Sequence, residues 1–140
     1  MKLFIDTWGW LQLYDKRENQ HQAVATFFEH FNTQSGTIYT TDYVLDETFT
    51  LLFKRLPFHQ AQQALKVIED TTEAGYLILE YISPQRFAQT KALRLKFQDK
   101  PQISFTDLSS MIVMEELIIS TILTGDAHFT HIGMGFQIVP

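Results

Sequence analysis

Apolar residues occur along the chain in two arrangements, as short continuous runs and as longer segments with helical spacing. The runs are rich in β-branched and aromatic residues and are bounded by turn-forming residues, as strands are. A continuous apolar run is typical of a strand that is buried on both faces of a sheet. Strands are therefore predicted at Lys2 to Asp6, Thr37 to Thr41, Tyr76 to Ile82, Ser120 to Thr124 and Phe136 to Val139.

The segments between these runs have the spacing of amphipathic helices. In the segment from His21 to Phe31, for example, Phe residues lie three, four and seven positions after Val24, which places them on one helical face. Thr106 is the predicted N-cap of a helix that Asp107 opens. Helices are predicted from Thr7, from His21 to Phe31, from Asp42, from His59 to about Thr72, from Pro84 (with Ser83 as N-cap) to about Phe97, and from Asp107 to about Ile118.

Strands that alternate with helical segments are joined by right-handed crossovers, because the connections are too long for hairpins. Such connections give a mainly parallel sheet with helices on both faces. The predicted fold is therefore α/β, a three-layer α/β/α sandwich with a mainly parallel central sheet of about five short strands. At 140 residues the chain has the length of one domain, which we predict to span residues 1–140.

Composition indicates a folded protein and agrees with a reducing compartment. Hydrophobic residues make up 45% of the chain and include 12 Phe, whereas disordered chains contain few aromatic residues. Cysteine is absent, which excludes both a disulfide framework and thiolate ligands for a metal. The first residues lack the features of a signal peptide, and no stretch approaches the roughly 20 apolar residues of a membrane-spanning helix. We expect a soluble, cytoplasmic protein.

Charge is distributed unevenly along the chain. The net charge of −5 argues against a protein that holds nucleic acid by charge alone. No Lys or Arg follows position 100, so acids beyond it would need bound cations if they gathered at one site. Five basic residues precede that stretch, either as a docking surface for a polyanion or, as we favour, as an ordinary solvated helix face. They are Arg86, Lys91, Arg94, Lys96 and Lys100.

Four acids lie where a parallel sheet brings ligands together. Asp6 and Asp126 each follow a predicted strand. Glu47 lies one to two turns into the helix after the second strand, and Asp107 opens a later helix. Because ligands of open α/β sheets bind beyond the carboxyl ends of the strands, we expect all four acids to face one crevice. Asp107 alone also suits a helix start, and Asp126 alone suits a turn, so the hypothesis depends on the combination.

Clustered carboxylates repel one another, and burial adds to the cost, so a divalent cation is expected among them. Oxygen ligands without cysteine select Mg²⁺ or Mn²⁺ over zinc. All four acids are predicted to be catalytic. Asp6 and Asp107 are the first choice as direct ligands, while Glu47 and Asp126 complete the site or orient water. Such an ion can polarise a phosphodiester and lower the pKa of a bound water, which makes metal-dependent hydrolysis the leading hypothesis.

Neighbouring acids are given structural roles instead. Asp42 and Asp46, beside Glu47, are expected to cap or solvate their helix. Glu115 and Glu116 are expected to form the solvent side of theirs.

Histidine and tryptophan residues near the acids have two possible roles each. His128 and His131 have an i, i+3 spacing that a metal could use, but no further ligand of the usual types lies nearby in sequence, so packing and turn roles are favoured. Trp8 and Trp10 could stack on a base, yet aromatic residues at the start of a first helix more often fill the core.

Four motifs in order along the whole chain resemble the PIN-domain family, and more narrowly its VapC-like toxins. They are FIDTWGW, DYVLDETFTLL, SFTDLSSMIVM and ILTGDAHFTHIGMGF. The resemblance implies a PIN-like fold, with the family's acidic cluster on Asp6, Glu47, Asp107 and Asp126 and its usual Mg²⁺ ligands on Asp6 and Asp107. It further implies endoribonuclease activity on a structured RNA, restraint by a small antitoxin protein, and a homodimer.

Two positions depart from the family pattern. Gly125 precedes Asp126 where relatives often have a bulkier residue, and Leu108 follows Asp107 where many have a small one. Both changes affect local packing and leave the carboxylates in place.

Two other enzyme classes lack residues that they need. An aspartyl-phosphate phosphatase would need a second acid two residues after Asp6, where Trp8 stands. A receiver domain would need an acidic pair near the first strand and a Lys after a late strand, but no Lys follows position 100. The alternative that stays open is a catalytically inactive PIN-like RNA-binding or protein-interaction module, because a fold alone does not fix a function.

Overall fold

Short apolar runs of the chain form one sheet in the computed structural model, which describes all 140 residues. The strands are β1 (Lys2–Ile5), β2 (Thr37–Thr41), β3 (Leu77–Glu80), β4 (Thr121–Leu123) and β5 (Gln137–Val139). Their order across the sheet is β3-β2-β1-β4-β5, and every neighbouring pair is parallel.

Helices connect the strands and cover the sheet. They are α1 (Thr7–Tyr14), α2 (His21–Thr33), α3 (Asp42–Arg55), α4 (Phe58–Glu73), α5 (Pro84–Lys96), α6 (Phe105–Glu116) and α7 (His128–His131). The predicted α/β sandwich around a parallel sheet of five short strands is confirmed. None of these helices is long and apolar enough to cross a membrane.

The central strand, β1, is the most deeply buried part of the sheet. Leu3, Phe4 and Ile5 have no exposed surface, and neither do Ile122 and Leu123 of the adjacent β4. Each such side chain contributes about 1.5–3 kcal/mol when it is removed from water. Burial on both faces explains why these strands are continuous apolar runs without alternation.

The strand order reverses direction at β1. The chain first builds outwards from β1 to β2 and β3, and then crosses back to place β4 on the other side of β1. The crossovers on either side of this point leave in opposite directions, which opens a crevice beyond the carboxyl ends of β1 and β4. Asp6 directly follows β1 and Thr124 directly follows β4, so both lie at this crevice.

Three local features differ from the predictions. Ser104, and not Thr106, caps α6, because the Ser104 hydroxyl accepts the Asp107 N–H at 3.0 Å. Strand β3 ends earlier than predicted, since beyond it the Ile82 N–H donates to the Asp42 carboxylate at 2.9 Å instead of to a strand. The short helix α7 was not predicted; it is only one turn long and has little periodicity to read.

Candidate active site

Asp6 is fixed at the junction of β1 and α1 by bonds to both of its carboxylate oxygens. As the N-cap of α1, it accepts the Gly9 N–H through Oδ1 at 3.0 Å. Its other oxygen, Oδ2, accepts the hydroxyl of Thr124. The residue is only 5% exposed, although an acid at a helix start is usually solvated.

Burial raises the pKa of Asp6 to about 7. The hydrogen bonds from Thr124 and Gly9 oppose this rise, while the charges of Asp126 and Glu47 add to it. No positive side chain is among the groups that shift the pKa of Asp6, so its carboxylate is held at the site without a nearby counter-charge.

Thr124 connects Asp6 to the loop that carries Asp126. Its buried hydroxyl donates to Asp6 and accepts the Asp126 N–H at 3.1 Å. The two acids are therefore held in register by one side chain. The adjacent Gly125 packs against Trp8, and a Cβ at position 125 would lie 2.4 Å from the indole ring. This contact explains why a bulkier residue does not fit before Asp126 in this chain.

Asp107 lies in the first turn of α6, where the Ser104 cap sets its position. Burial raises its pKa, and the charge of Asp6, a hydrogen bond to Asp126 and the charges of Asp126 and Glu47 raise it further. The next residue, Leu108, has no exposed surface, so its larger side chain is used in the core.

Glu47 is exposed on α3 and reaches the site mainly through its charge, which raises the pKa of both Asp6 and Asp107. Its neighbours do not take part. Asp42 accepts the Ile82 N–H, and Thr41, not Asp42, caps α3 through a bond from the Val44 N–H.

His128 also lies at this edge of the sheet. Asp107, Asp126 and His128 each offer a ligand atom within 4.8 Å of the others. The sequence did not predict this arrangement, because Asp107 is far from His128 in the chain and no sequence pattern connects the two residues. Asp6 and Glu47 are not part of this group of three, but the charge of Asp6 raises the pKa of Asp107, and that of Glu47 raises the pKa of both Asp6 and Asp107. The structure thus places the four predicted acids close enough to interact electrostatically and adds a histidine.

Comparison with protein families supports the resemblance seen in the four motifs. A family model described as PIN domain matches residues 3–134. This chain belongs to the PIN domain family. It is also 30% identical over 135 residues to a VapC ribonuclease of Archaeoglobus fulgidus. The aligned region covers 93% of this chain and 80% of the relative.

Solved structures share the fold of this PIN domain. VapC20 of Mycobacterium tuberculosis, described as a sarcin-ricin-loop-cleaving toxin, superposes with a TM-score of 0.77 at 23% identity, covering 94% of this chain and 95% of the other. VapBC2 of Rickettsia felis, bound to a DNA fragment from its promoter, gives a TM-score of 0.71 at 18% identity, covering 99% and 98%. VapBC-1 of nontypeable Haemophilus influenzae gives 0.66 at 18% identity, covering 99% and 97%.

The donor set of this PIN domain fits a divalent cation. Carboxylate oxygens are the ligands that Mg²⁺ and Mn²⁺ prefer. Burial, and after it the charges of neighbouring acids, raise the pKa of Asp6 and Asp107, and a cation at this position would stabilise the charged form of both.

Tryptophan and histidine residues near the site are divided between core and surface. Trp10 is 2% exposed and donates its indole N–H to the Thr40 hydroxyl at 3.2 Å, so its predicted core role is confirmed. Trp8 is partly buried against Gly125. His131 is exposed on α7.

A pocket of about 510 Å³ lies elsewhere in the PIN domain. It is bounded by α1, α2, α4 and the first residues of β2 and β3, such as Thr37 and Leu77. These residues mark the amino ends of the strands, so the pocket opens at the edge opposite to the acids. None of the four acids lines it.

Proposed function

We propose that this PIN domain is a Mg²⁺- or Mn²⁺-dependent endoribonuclease that hydrolyses RNA phosphodiester bonds, and that it is the toxin of a toxin–antitoxin pair. The observation that carries the proposal is a group of acids without a Lys or Arg partner. No Lys or Arg forms an ion pair with any of them, and two have raised pKa values. The four acids are Asp6, Glu47, Asp107 and Asp126.

Each acid has a proposed role set by its position. Asp6 and Asp107 are direct metal ligands, because their carboxyls are the most buried of the group and lack a counter-charge. Glu47 and Asp126 complete the site or orient the attacking water, which suits the exposed position of Glu47. When bound, the cation supplies polarisation of the scissile phosphodiester and a water of lowered pKa.

The chain's own contribution is to hold these groups before substrate arrives. Thr124 fixes one oxygen of Asp6, and the Gly9 N–H fixes the other. Asp126 is held by its own N–H bond to Thr124 and by the His128 N–H, which donates to its carboxylate at 2.9 Å. Groups fixed in this way need little reorganisation during reaction, which is a large part of electrostatic catalysis.

Protein partners are part of the proposal. Relatives named VapBC suggest a small antitoxin as partner, and the family resemblance suggests a homodimer. Large apolar side chains that are at least 63% exposed leave surface for such contacts, and scattered apolar residues alone do not specify which partner uses them. They are Met1, Phe58, Tyr76, Tyr81, Leu95 and Ile118. Action in the cytoplasm is part of the same proposal.

The test is cleavage of labelled RNA by the purified chain during titration with Mg²⁺ or Mn²⁺. Asp6→Asn removes a charged ligand at nearly constant volume, and we expect cleavage to fall by about 10²- to 10³-fold, as when a group that stabilises transition-state charge is lost. Asp46→Asn is the matched control, because Asp46 is exposed on α3 and has no role at the site. Sequencing of the RNA ends would identify the substrate and the cleavage position.

Thermal unfolding curves must show that both variants fold. Near-normal turnover by Asp6→Asn would refute the ligand assignment. RNA binding without any metal-dependent cleavage by the unaltered chain would favour the inactive RNA-binding or protein-interaction module.

A further inference from the structure

His128 is a polar residue at the proposed site that the acid quartet does not include. It begins α7, directly after the turn that carries Asp126. Its backbone N–H donates to Asp126 Oδ1 at 2.9 Å, so the two residues are fixed relative to each other by a local bond. The His128 side chain keeps 34% of its surface exposed.

The ring nitrogen Nδ1 of His128 is buried but has no hydrogen-bond partner. It lies 3.0 Å from Asp126 Oδ1, an oxygen that already accepts the His128 N–H, and the two atoms are not aligned for a hydrogen bond. A buried polar atom without a partner is destabilising, so its presence needs an explanation.

A shared cation accounts for both the close approach and the missing partner. Neighbouring ligands on an octahedral ion at about 2.1 Å are about 3 Å apart. The separation of Nδ1 from Asp126 Oδ1 has this value, and the ligand atom of Asp107 also falls within 4.8 Å of both residues.

We propose that His128 supplies a nitrogen ligand to the cation of the proposed site, beside Asp107 and with Asp126 completing the site as a further direct ligand, and that this nitrogen makes the site prefer Mn²⁺ to Mg²⁺. The proposal rests on the proposed function, since it concerns the same metal. Imidazole nitrogen is a better ligand for Mn²⁺ than for Mg²⁺, which favours oxygen and keeps its waters. The nitrogen therefore shifts selectivity between two ions that carboxylates alone distinguish weakly.

The experiment is pulsed electron paramagnetic resonance of Mn²⁺ bound to the full chain. A directly bound imidazole gives ¹⁴N modulation of the Mn²⁺ signal. We expect this modulation in the unaltered protein and its loss in His128→Ala. His131→Ala is the matched control, because His131 is an exposed histidine of the same short helix, and it should keep the signal. Growth with ¹⁵N-histidine tests the unaltered chain, so the result does not depend on the folding of a variant.

Metal affinity gives a second readout that needs no RNA. We expect His128→Ala to raise the dissociation constant for Mn²⁺ by roughly tenfold or more, as loss of a group at a metal site does, and that for Mg²⁺ by clearly less.

The outcomes separate the two proposals. Mn²⁺ that binds with one defined affinity but shows no histidine nitrogen would overturn the role of His128 and leave the proposed nuclease standing. Equal loss of both metals in His128→Ala would overturn the selectivity claim. Failure of the unaltered chain to bind either metal would overturn both proposals.

Discussion

Charged side chains in two regions of this PIN domain have opposite electrostatic environments, one around Arg86 and the other at the crevice. Arg86 forms ion pairs with Glu80 at 3.0 Å and with Glu116, and these bonds lower the pKa of Glu116 and raise that of Arg86. Burial and neighbouring acids instead raise the pKa of Asp6 and Asp107. A carboxylate paired within the chain is stabilised in its charged form, whereas those at the crevice are destabilised in theirs.

Arg94 follows the same rule as Arg86. Its guanidinium donates to the backbone carbonyls of Phe97, Lys100 and Ile103. Two members of the basic segment are therefore committed to structure, and the expected solvated face is reduced to the lysines. The comparison indicates that the fold pairs its structural charges internally, whereas the acids at the crevice have no Lys or Arg partner.

The largest expected effect concerns the unpaired acids. Asp107→Asn should lower metal-dependent RNA cleavage by about 10³-fold, or about 4 kcal/mol of transition-state stabilisation, because a charged ligand is lost. Metal affinity, measured by calorimetric titration, should fall in parallel. Glu115→Gln on the same helix is the control, since Glu115 is exposed and has no proposed role at the site. Equal losses of cleavage in both variants would contradict the proposed role of Asp107.

The second prediction uses the pH dependence of stability without metal. The pKa of Asp6 is about 7 in the folded chain and 3.8 as the ordinary value, so between these values the folded state binds more protons than the unfolded state. Stability of the metal-free chain therefore falls as pH rises through this window. Asp6→Asn removes the effect, and its stability relative to the unaltered chain should rise by about 3 kcal/mol between pH 5 and pH 8.

Urea unfolding of both proteins in EDTA at the two pH values measures this difference. Added Mg²⁺ or Mn²⁺ at pH 8 should then stabilise the unaltered chain and have little effect on Asp6→Asn. A difference between the two proteins that does not change with pH would show that Asp6 is not a buried, uncompensated acid.

The third prediction tests the paired charges. Arg86→Met should lower the free energy of unfolding by about 2 kcal/mol, because it removes a largely buried guanidinium and leaves the partly buried Glu80 and the exposed Glu116 without a partner. Metal ions should not rescue it. Lys91→Met, on the exposed face of the same helix, should change stability by about 0.5 kcal/mol or less. Rescue of Arg86→Met by Mg²⁺ would contradict the separation of the two groups.

The smallest expected effect concerns the link between Asp6 and Asp126. Thr124→Val keeps the shape of the side chain but removes its hydroxyl, so cleavage should fall by roughly tenfold, as when a group that orients a ligand is lost. Thr124→Ser retains the hydroxyl and should restore most of the rate. If serine fails where valine also fails, packing of the methyl group matters more than the hydrogen bond.

Much of the fold was predictable because strand and helix patterns are local. The run from Leu3 to Ile5 is apolar throughout, and burial on both faces of the sheet requires that. Ends of elements were less predictable. Ser104 and Thr106 both have side chains suited to an N-cap of the helix that carries Asp107, and only the completed hydrogen bond from the Asp107 N–H to Ser104 distinguishes them.

The positions of the candidate acids in the fold were predictable from the sequence, but their burial and their neighbours were not. Asp6 and Asp126 follow strands, and a parallel sheet brings such positions to one edge. Sequence gives no measure of how deeply Asp6 is buried, and it does not connect His128 with Asp107. Those facts depend on packing between segments that are distant in the chain.

The sequence by itself determined the five strands and all helices except α7, and that four acids fall near the carboxyl edge of a parallel sheet, because hydrophobic periodicity acts over a few residues. Only the tertiary structure decided which charges are paired within the chain and which acids have no Lys or Arg partner. The reason is that pairing, burial and the pKa of a side chain are properties of its three-dimensional neighbours, and Thr124, Gly125 and His128 become neighbours of Asp6, Trp8 and Asp107 only when the sheet is assembled.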